Sequence, residues 1–293
     1  MEAKPLLKHG WIRALLFALT FLVLIILSNI ATDRLLGNLT AGKQEAPAPN
    51  EMSGVFLLIK VAVSLFVCVI TVYFFRKLID KQHLISLGLT LKNNLSHAVV
   101  GFSMGLLLLG IGSMILIAGN NLQWTGINFD PNQLITGFVV MLIVAFAEEL
   151  AFRGYILNNL MQSMNKWMAL IYSALLFTVF HINNPGINVL ALLNIFLAGM
   201  LLGINYIFTK NLWYGIFLHL AWNFYQGSIL GYKVSGIPLK SLLEQELNGN
   251  HLLTGGPFGF EGSVITSVLY LLAFLLLAWI YRRREKLIIM VNC

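Results

Sequence analysis

Runs of about 20 apolar residues recur along the chain, and they constrain its fold more than any other feature. An α-helix of that length is what crosses the hydrocarbon core of a bilayer. Only 11% of the 293 residues are charged, whereas soluble domains usually carry about 25%. The sequence therefore predicts an all-α polytopic membrane protein with about eight transmembrane helices. We place the spans at 11–31, 54–75, 96–118, 134–157, 167–184, 188–208, 211–229 and 263–281.

The basic residues are distributed unevenly between the two sides of the membrane that eight spans define. With both termini in the cytoplasm, most of the 19 Lys and Arg residues lie on the cytoplasmic side. The opposite side has only Arg34, Lys43, Lys233 and Lys240. This is the positive-inside pattern, so the net charge of +7 indicates orientation and not nucleic-acid binding. Short loops and compact basic segments favour a prokaryotic plasma membrane.

The polar residues divide the chain into three regions. Residues 1–133 contain the first three spans, with a polar linker at 41–53. Residues 134–229 contain four spans that carry polar side chains, and residues 230–293 contain a long loop, the last span and a basic tail. The loop includes "SLLEQELNG", which we expect to form a short amphipathic helix, and the glycine-rich "LTGGPFGFEGS". That glycine-rich segment is either an ordered external loop or a lid that dips back into the membrane.

The segment "EELAFRGY" places three charged side chains inside the fourth span. Each charge costs about 2.5–3.5 kcal/mol in hydrocarbon, so such residues face the bundle interior and usually serve function. Glu149 and Arg153 are four residues apart with the acid first, so they can pair on one helix face. Glu148 lies about 100° around the helix from Glu149. We therefore expect Glu148 to find its partner on another span.

Histidine and asparagine side chains in later spans are candidate partners for Glu148. His181 lies in the fifth span, while His219 and Asn223 lie four residues apart in the seventh. Any one of them could be an interhelical hydrogen-bonding residue without a chemical role. Together they suit activation of a water molecule, with a carboxylate or imidazole as general base and an amide as oxyanion donor. No Ser or Cys has an activated arrangement, which disfavours a covalent nucleophile.

Three motifs follow one another along the fourth, fifth and seventh spans. They are EExxxR at Glu148, Glu149 and Arg153, FxxxH at Phe177 and His181, and HxxxN at His219 and Asn223. In this order they resemble the CAAX-protease and bacteriocin-processing (CPBP, Abi-like) family of intramembrane endopeptidases. The glycine-rich loop resembles that of bacterial members. The resemblance covers roughly 134–229 and that loop, and it implies a catalytic core in helices four to seven.

The resemblance also implies a role for each motif residue. Glu148 and His181 would activate the hydrolytic water, and His219 and Asn223 would stabilise the oxyanion of the tetrahedral intermediate. The second acid and the arginine of EExxxR would hold the site together. The implied substrate is a membrane-associated, prenylated or otherwise processed peptide, or a lipidated protein, and the lipid bilayer is the surrounding partner.

A metal ion is an open alternative, because this family has also been described as metalloproteases. Glu148, His181 and His219 would then bind Zn²⁺ or another divalent metal, since two His and one Glu form a known catalytic zinc set. We favour a reaction without a metal or other cofactor, because no HExxH-like helix fixes two ligands at once.

Two other classes of protein use similar buried residues. A transporter or proton relay would also need intramembrane Glu and His, but the sequence has no inverted repeat that would indicate one. A non-proteolytic scaffold or immunity protein could keep the same fold for partner binding. That alternative would be favoured by the loss of a motif position, and all are present.

Overall fold

The computed structural model describes residues 4–40, 54–90, 92 and 94–292. Within these residues the long elements are eight helices, which correspond in order to the eight predicted spans. Their bounds are α1 Gly10–Thr40, α2 Gly54–Phe74, α3 Leu95–Ala118, α4 Pro131–Glu149, α5 Lys166–Val179, α6 Val189–Ile204, α7 Trp213–Phe224 and α8 Val264–Asn292. The linker predicted at 41–53 lies outside the described residues, and the division of the chain into three regions stays a prediction.

Helices α2, α4 and α7 each continue into a π-helical segment. These segments are Phe75–Ile79, Leu150–Leu157 and Tyr225–Ile229. The π-helix is rare and is often found at functional sites. The remaining short turns of helix are Leu84–Leu87, Asn158–Leu160, Tyr206–Thr209, His251–Thr254, Gly256–Phe258 and Phe260–Gly262.

Six helices in the described part of the chain are long and apolar enough to cross a membrane. They are Gly10–Asn38, Gly54–Ile79, Leu95–Ala118, Pro131–Leu160, Val189–Thr209 and Val264–Leu287. The protein is therefore mostly helical and has the spans of an integral membrane protein. The predicted fifth and seventh spans are not among the six, so eight transmembrane helices are not confirmed. Helix α5 has 14 residues and α7 has 12 before its π-helical segment.

A two-stranded antiparallel sheet joins two loops, which corrects one expectation. Strand β1, Leu122–Ile127, pairs with strand β2, Leu243–Leu247. The segment "SLLEQELNG", which we expected to be a short amphipathic helix, supplies β2. Its side chains alternate between half-buried and exposed, and a period of two belongs to a strand and not to a helix.

Three polar residues set where the helices of the core begin. The Asp130 side chain accepts hydrogen bonds from the backbone of Asn132 and Gln133 ahead of α4, which has Pro131 at its start. The Asn165 and Asn188 side chains cap α5 and α6 in the same way. These are preferred N-cap residues because their oxygens satisfy N–H groups that lack partners within the helix.

Small residues let α3 and α7 approach closely. A side chain at Gly101 would collide with the carbonyl of Tyr214, and a Cβ at Gly105 would lie 2.8 Å from the Cβ of Ala221. Glycines four residues apart allow two helix backbones to pack together in a membrane. This contact fixes the position of α7, which carries two of the motif residues.

A buried ionic cluster joins α1, the end of α2 and the π-helical segment after α4. The Asp80 carboxylate accepts from Arg13 at 2.9 Å and from Arg76 at 2.8 Å. It also accepts from the Tyr155 hydroxyl at 3.2 Å and from the Asn159 amide at 3.3 Å. Arg13 and Arg76 are each only 2% exposed. They are therefore structural ions.

Candidate active site

The motif residues come from three helices and the turns that follow them. Glu148 and Glu149 end α4, and Arg153 lies in the π-helical segment that continues it. His219 and Asn223 lie on α7. The fold thus brings the fourth, fifth and seventh predicted spans around one point.

His181 lies in a turn and not inside a helix, which corrects the predicted span 167–184. Helix α5 ends at Val179, and His181 follows it by two residues. The chain then reaches Pro185 and Gly186, whose φ of 72° is in the left-handed region. Proline and such a glycine are common just after a helix ends.

Glu148 faces both histidines. Its Oε2 atom lies 3.9 Å from His181 Nε2 and also 3.9 Å from His219 Nε2. This oxygen is buried and has no hydrogen-bond partner among the described residues. A separation of 3.9 Å is too long for a direct hydrogen bond, but it leaves room for one water molecule to bridge the two groups.

The other nitrogen of each imidazole is held by an acceptor. His181 Nδ1 lies 2.7 Å from the Phe177 carbonyl, and His219 Nδ1 lies 3.2 Å from Glu149 Oε1. A carbonyl and a carboxylate can only accept, so both Nδ1 atoms are assigned as donors. The Nε2 atoms of the neutral rings are then acceptors that face Glu148.

Glu149 and Arg153 form the ion pair that their spacing predicts. Arg153 Nη1 donates to Glu149 Oε1 at 2.7 Å, and both side chains are buried. Arg153 Nη2 donates to the Gly199 carbonyl of α6 at 3.1 Å, and its guanidinium lies 4.5 Å from the centre of the Phe177 ring. The pair therefore joins α4 to α5 and α6.

The sequence did not predict the bond from His219 to Glu149. The same carboxylate oxygen that receives Arg153 also receives His219 Nδ1. Gly215, one turn before His219 on α7, leaves room for this carboxylate, because a Cβ there would lie 2.6 Å from Glu149 Oε2. The two acids thus face two sides of one imidazole, with Glu148 near Nε2 and Glu149 on Nδ1.

Two cavities meet at these residues. The outer cavity has an empty volume of about 1520 Å³ and is lined by α1, α2 and α4, including Glu148. The inner cavity has an empty volume of about 560 Å³ and mostly apolar walls. Of the residues described, four line both cavities. They are His181, His219, Asn223 and Ser235. The Asn223 side chain is buried, and its amide makes no hydrogen bond to the part of the chain described.

Ser235 and Glu261 are site residues that sequence reasoning missed. Both lie in the long loop, and both line the inner cavity. Burial raises the pKa of the Glu261 carboxyl, although hydrogen bonds from Ser235 and Trp222 act against this. The acid in "GGPFGFEGS" was the only available signal. The loop therefore supplies two side chains to the inner cavity, and its placement as an external loop or a lid stays a prediction.

The proposed metal ligands lie farther apart in this structure than the ligand atoms of a tetrahedral zinc ion. Bonds of about 2.0–2.1 Å in a tetrahedron place neighbouring ligand atoms about 3.4 Å apart, which is less than the 3.9 Å from Glu148 Oε2 to each imidazole. Within the described residues, no three His, Cys, Asp or Glu side chains are arranged to hold a metal ion.

The comparisons with known proteins bear on the segment of the chain that holds this site. Residues 130–225 match a family model described as Rce1-like, type II CAAX prenyl endopeptidase Rce1-like. The match begins at the cap of α4 and includes all three motifs. It confirms the resemblance drawn from those motifs, over the segment that holds the site. No curated protein and no solved structure matches the chain.

Proposed function

We propose that the protein is an intramembrane endopeptidase that hydrolyses a peptide bond by means of an activated water molecule. The observation that carries this proposal is the convergence of His181 Nε2 and His219 Nε2 on the buried Oε2 atom of Glu148, each at 3.9 Å. A carboxylate and an imidazole can share the proton of a water held between them.

The reaction divides the residues into two pairs. Glu148 and His181 bind the water and take one proton as its oxygen attacks the substrate carbonyl. His219, when doubly protonated, keeps Nδ1–H on Glu149 and directs Nε2–H at the developing oxyanion, while the free amide of Asn223 supplies a second donor. The proton held by Glu148 and His181 then passes to the leaving amine, and the peptide bond breaks.

The outer cavity is the proposed binding site for the substrate. It extends from Glu148 along apolar side chains of α1 and α2, so it suits a peptide that is already in the membrane. The matched family is named for prenylated CAAX proteins, which makes a lipidated peptide the first substrate to test. Bacteriocin-like precursors are the second. We place both termini in the cytoplasm of a prokaryotic cell, on the basis of the basic residues.

The proposed reaction uses no bound metal. Both Nδ1 atoms of the histidines are occupied by acceptors, and that arrangement would also orient metal ligands. The 3.9 Å separations favour a bridging water over a tetrahedral zinc.

Cleavage by the purified protein tests the proposal. Wild-type protein in detergent is mixed with a quenched-fluorescence peptide that ends in a farnesylated Cys-aliphatic-aliphatic-X sequence, and with unprenylated apolar peptides. Glu148→Ala and His181→Ala should each lower turnover by about 10²–10⁴, as loss of a general base does. The control is Glu246→Gln, an exposed acid in β2, which should cleave like wild type. Wild-type turnover in both Ala variants would refute the assignment.

A further inference from the structure

Ser235 lies at the tip of a tight turn that reaches the junction of the two cavities. The backbones of Val234 and Ile237 exchange hydrogen bonds of 3.0 and 2.9 Å across this turn. The two central residues both have positive φ, 50° at Ser235 and 83° at Gly236. Positive φ at both positions is the requirement of a type I′ hairpin turn.

Serine is an unusual residue at this position. Glycine, asparagine and aspartate are the residues that such turns favour, because other side chains are strained at positive φ. Strain of this kind persists where the surroundings hold it, and it is concentrated at functional sites. A glycine would satisfy the backbone better than Ser235, so the strain points to a use for the hydroxyl.

The turn is fixed against the segment that follows His181. A side chain at Gly236 would collide with the Pro185 carbonyl, and the Gly236 N–H donates to the Phe258 carbonyl at 2.9 Å. Gly186 in turn packs on Pro257. The tip is therefore held in place beside His181 by both neighbouring loops.

Glu261 holds Ser235 from the other side. Its Oε2 accepts the Ser235 N–H at 2.7 Å and the Ser235 hydroxyl at 3.3 Å. Its Oε1 accepts the indole N–H of Trp222 at 3.1 Å, and Trp222 directly precedes Asn223 on α7. The Asn194 amide of α6 donates to the Glu261 carbonyl at 2.7 Å. Glu261 thus connects the loop tip to the helix that carries the oxyanion donors.

We propose that Ser235 binds the backbone of the peptide substrate beside the scissile bond, and that Glu261 is the positioning residue that holds it there. This rests on the proposed function. Among the residues that the structure describes, Ser235 shares its place on both cavities only with His181, His219 and Asn223, and these three are motif residues. Its hydroxyl hydrogen is donated to Glu261, so its lone pairs accept an N–H from an extended peptide that passes between the cavities.

Two substitutions at Ser235 separate substrate binding from folding. Ser235→Ala removes the hydroxyl and keeps the strain, whereas Ser235→Gly removes both. We expect each to raise KM for the farnesylated peptide by about three- to tenfold, as loss of one hydrogen bond does, with kcat within about twofold. The midpoint of thermal unfolding of Ser235→Gly should equal or exceed that of wild type. An unchanged KM in both variants would overturn the proposal.

A double variant tests whether Glu261 acts through Ser235. Glu261→Gln keeps the shape but turns an amide N–H₂ towards either the Trp222 indole or the two Ser235 donors, so KM should rise by a similar factor. Adding Ser235→Ala to Glu261→Gln should raise KM no further, because residues that act as one unit are not additive. Multiplied effects would show that Glu261 does not act through Ser235. Glu246→Gln is the matched control and should keep the wild-type KM.

Binding without cleavage keeps this inference distinct from the proposed function. The Kd of the same peptide is measured on Glu148→Ala protein with and without Ser235→Ala. A Kd that Ser235→Ala weakens three- to tenfold supports the contact of Ser235 with the peptide. It does so even if wild-type protein cleaves nothing, a result that would refute only the proposed protease activity. An equal Kd for Glu148→Ala protein with and without Ser235→Ala would refute the contact of Ser235 with the peptide. The proposed protease activity would still stand if wild-type protein cleaves the peptide and Glu148→Ala protein does not.

Discussion

Replacing Glu149 with alanine should lower the stability of the protein. The Glu149 carboxylate receives two buried donors, Arg153 Nη1 at 2.7 Å and His219 Nδ1 at 3.2 Å. Removing one partner of a buried ion pair costs about 3–5 kcal/mol, because the other charge stays buried. The unpartnered imidazole N–H adds about 1–3 kcal/mol. At about 2 °C for each kcal/mol in a chain of this size, the unfolding midpoint should fall by roughly 8–16 °C.

The double variant Glu149→Ala with Arg153→Met should recover part of this loss. The methionine removes the unpaired charge and keeps an apolar chain against Phe177, where the guanidinium now lies. Only the His219 N–H and the Gly199 carbonyl then lack their partners, so about half of the lost stability should return. Activity should not return, because His219 still lacks the acceptor that orients it.

Thermal unfolding in detergent and peptide cleavage are measured on the same four proteins. These are wild type, the two single variants and the double variant. The reasoning about the pair fails if the double variant is less stable than either single variant. The reasoning about His219 fails if cleavage recovers together with stability.

Three further predictions follow from the site and its surroundings. Asn223→Ala should lower kcat by about 10²–10³, as loss of one oxyanion donor does elsewhere, with the unfolding midpoint little changed; an unchanged kcat would remove Asn223 from the mechanism. Asp80→Ala leaves two arginines that are each 2% exposed without their carboxylate, so it should cost about 3–5 kcal/mol, and an unfolding midpoint equal to that of wild type would refute the buried cluster. Elemental analysis of active protein should find less than about a tenth of a metal ion per chain; near-stoichiometric zinc, with activity lost to chelators and restored by Zn²⁺, would establish the metal mechanism instead.

Helix positions and the pairing of Glu149 with Arg153 could be predicted because both depend on local spacing. Apolar runs mark the helices, and a separation of four residues places two side chains on one helix face. The ends of the helices were less predictable. Helix α5 stops at Val179, ahead of the turn at Pro185 and Gly186, although the apolar pattern continues past that point.

The parts of the site that sequence could not predict depend on contacts between distant segments. The bond from His219 to Glu149 joins residues 70 positions apart, and the bonds from Ser235 to Glu261 join residues 26 positions apart. No spacing rule relates such positions. The strand at Leu243–Leu247 was missed for the same reason, because its partner is a loop more than 100 residues earlier.

The central claim is that the buried charges of α4 serve to cut a peptide bond. The most direct test is to measure which new protein termini appear in native membranes. Membranes that contain wild-type protein or Glu148→Ala are compared by mass spectrometry of N- and C-terminal peptides, with equal amounts of the two proteins. The account predicts cleaved fragments in wild-type membranes, and intact precursors that copurify with Glu148→Ala. Identical termini in both membranes would contradict it and would favour a scaffold that binds without cutting.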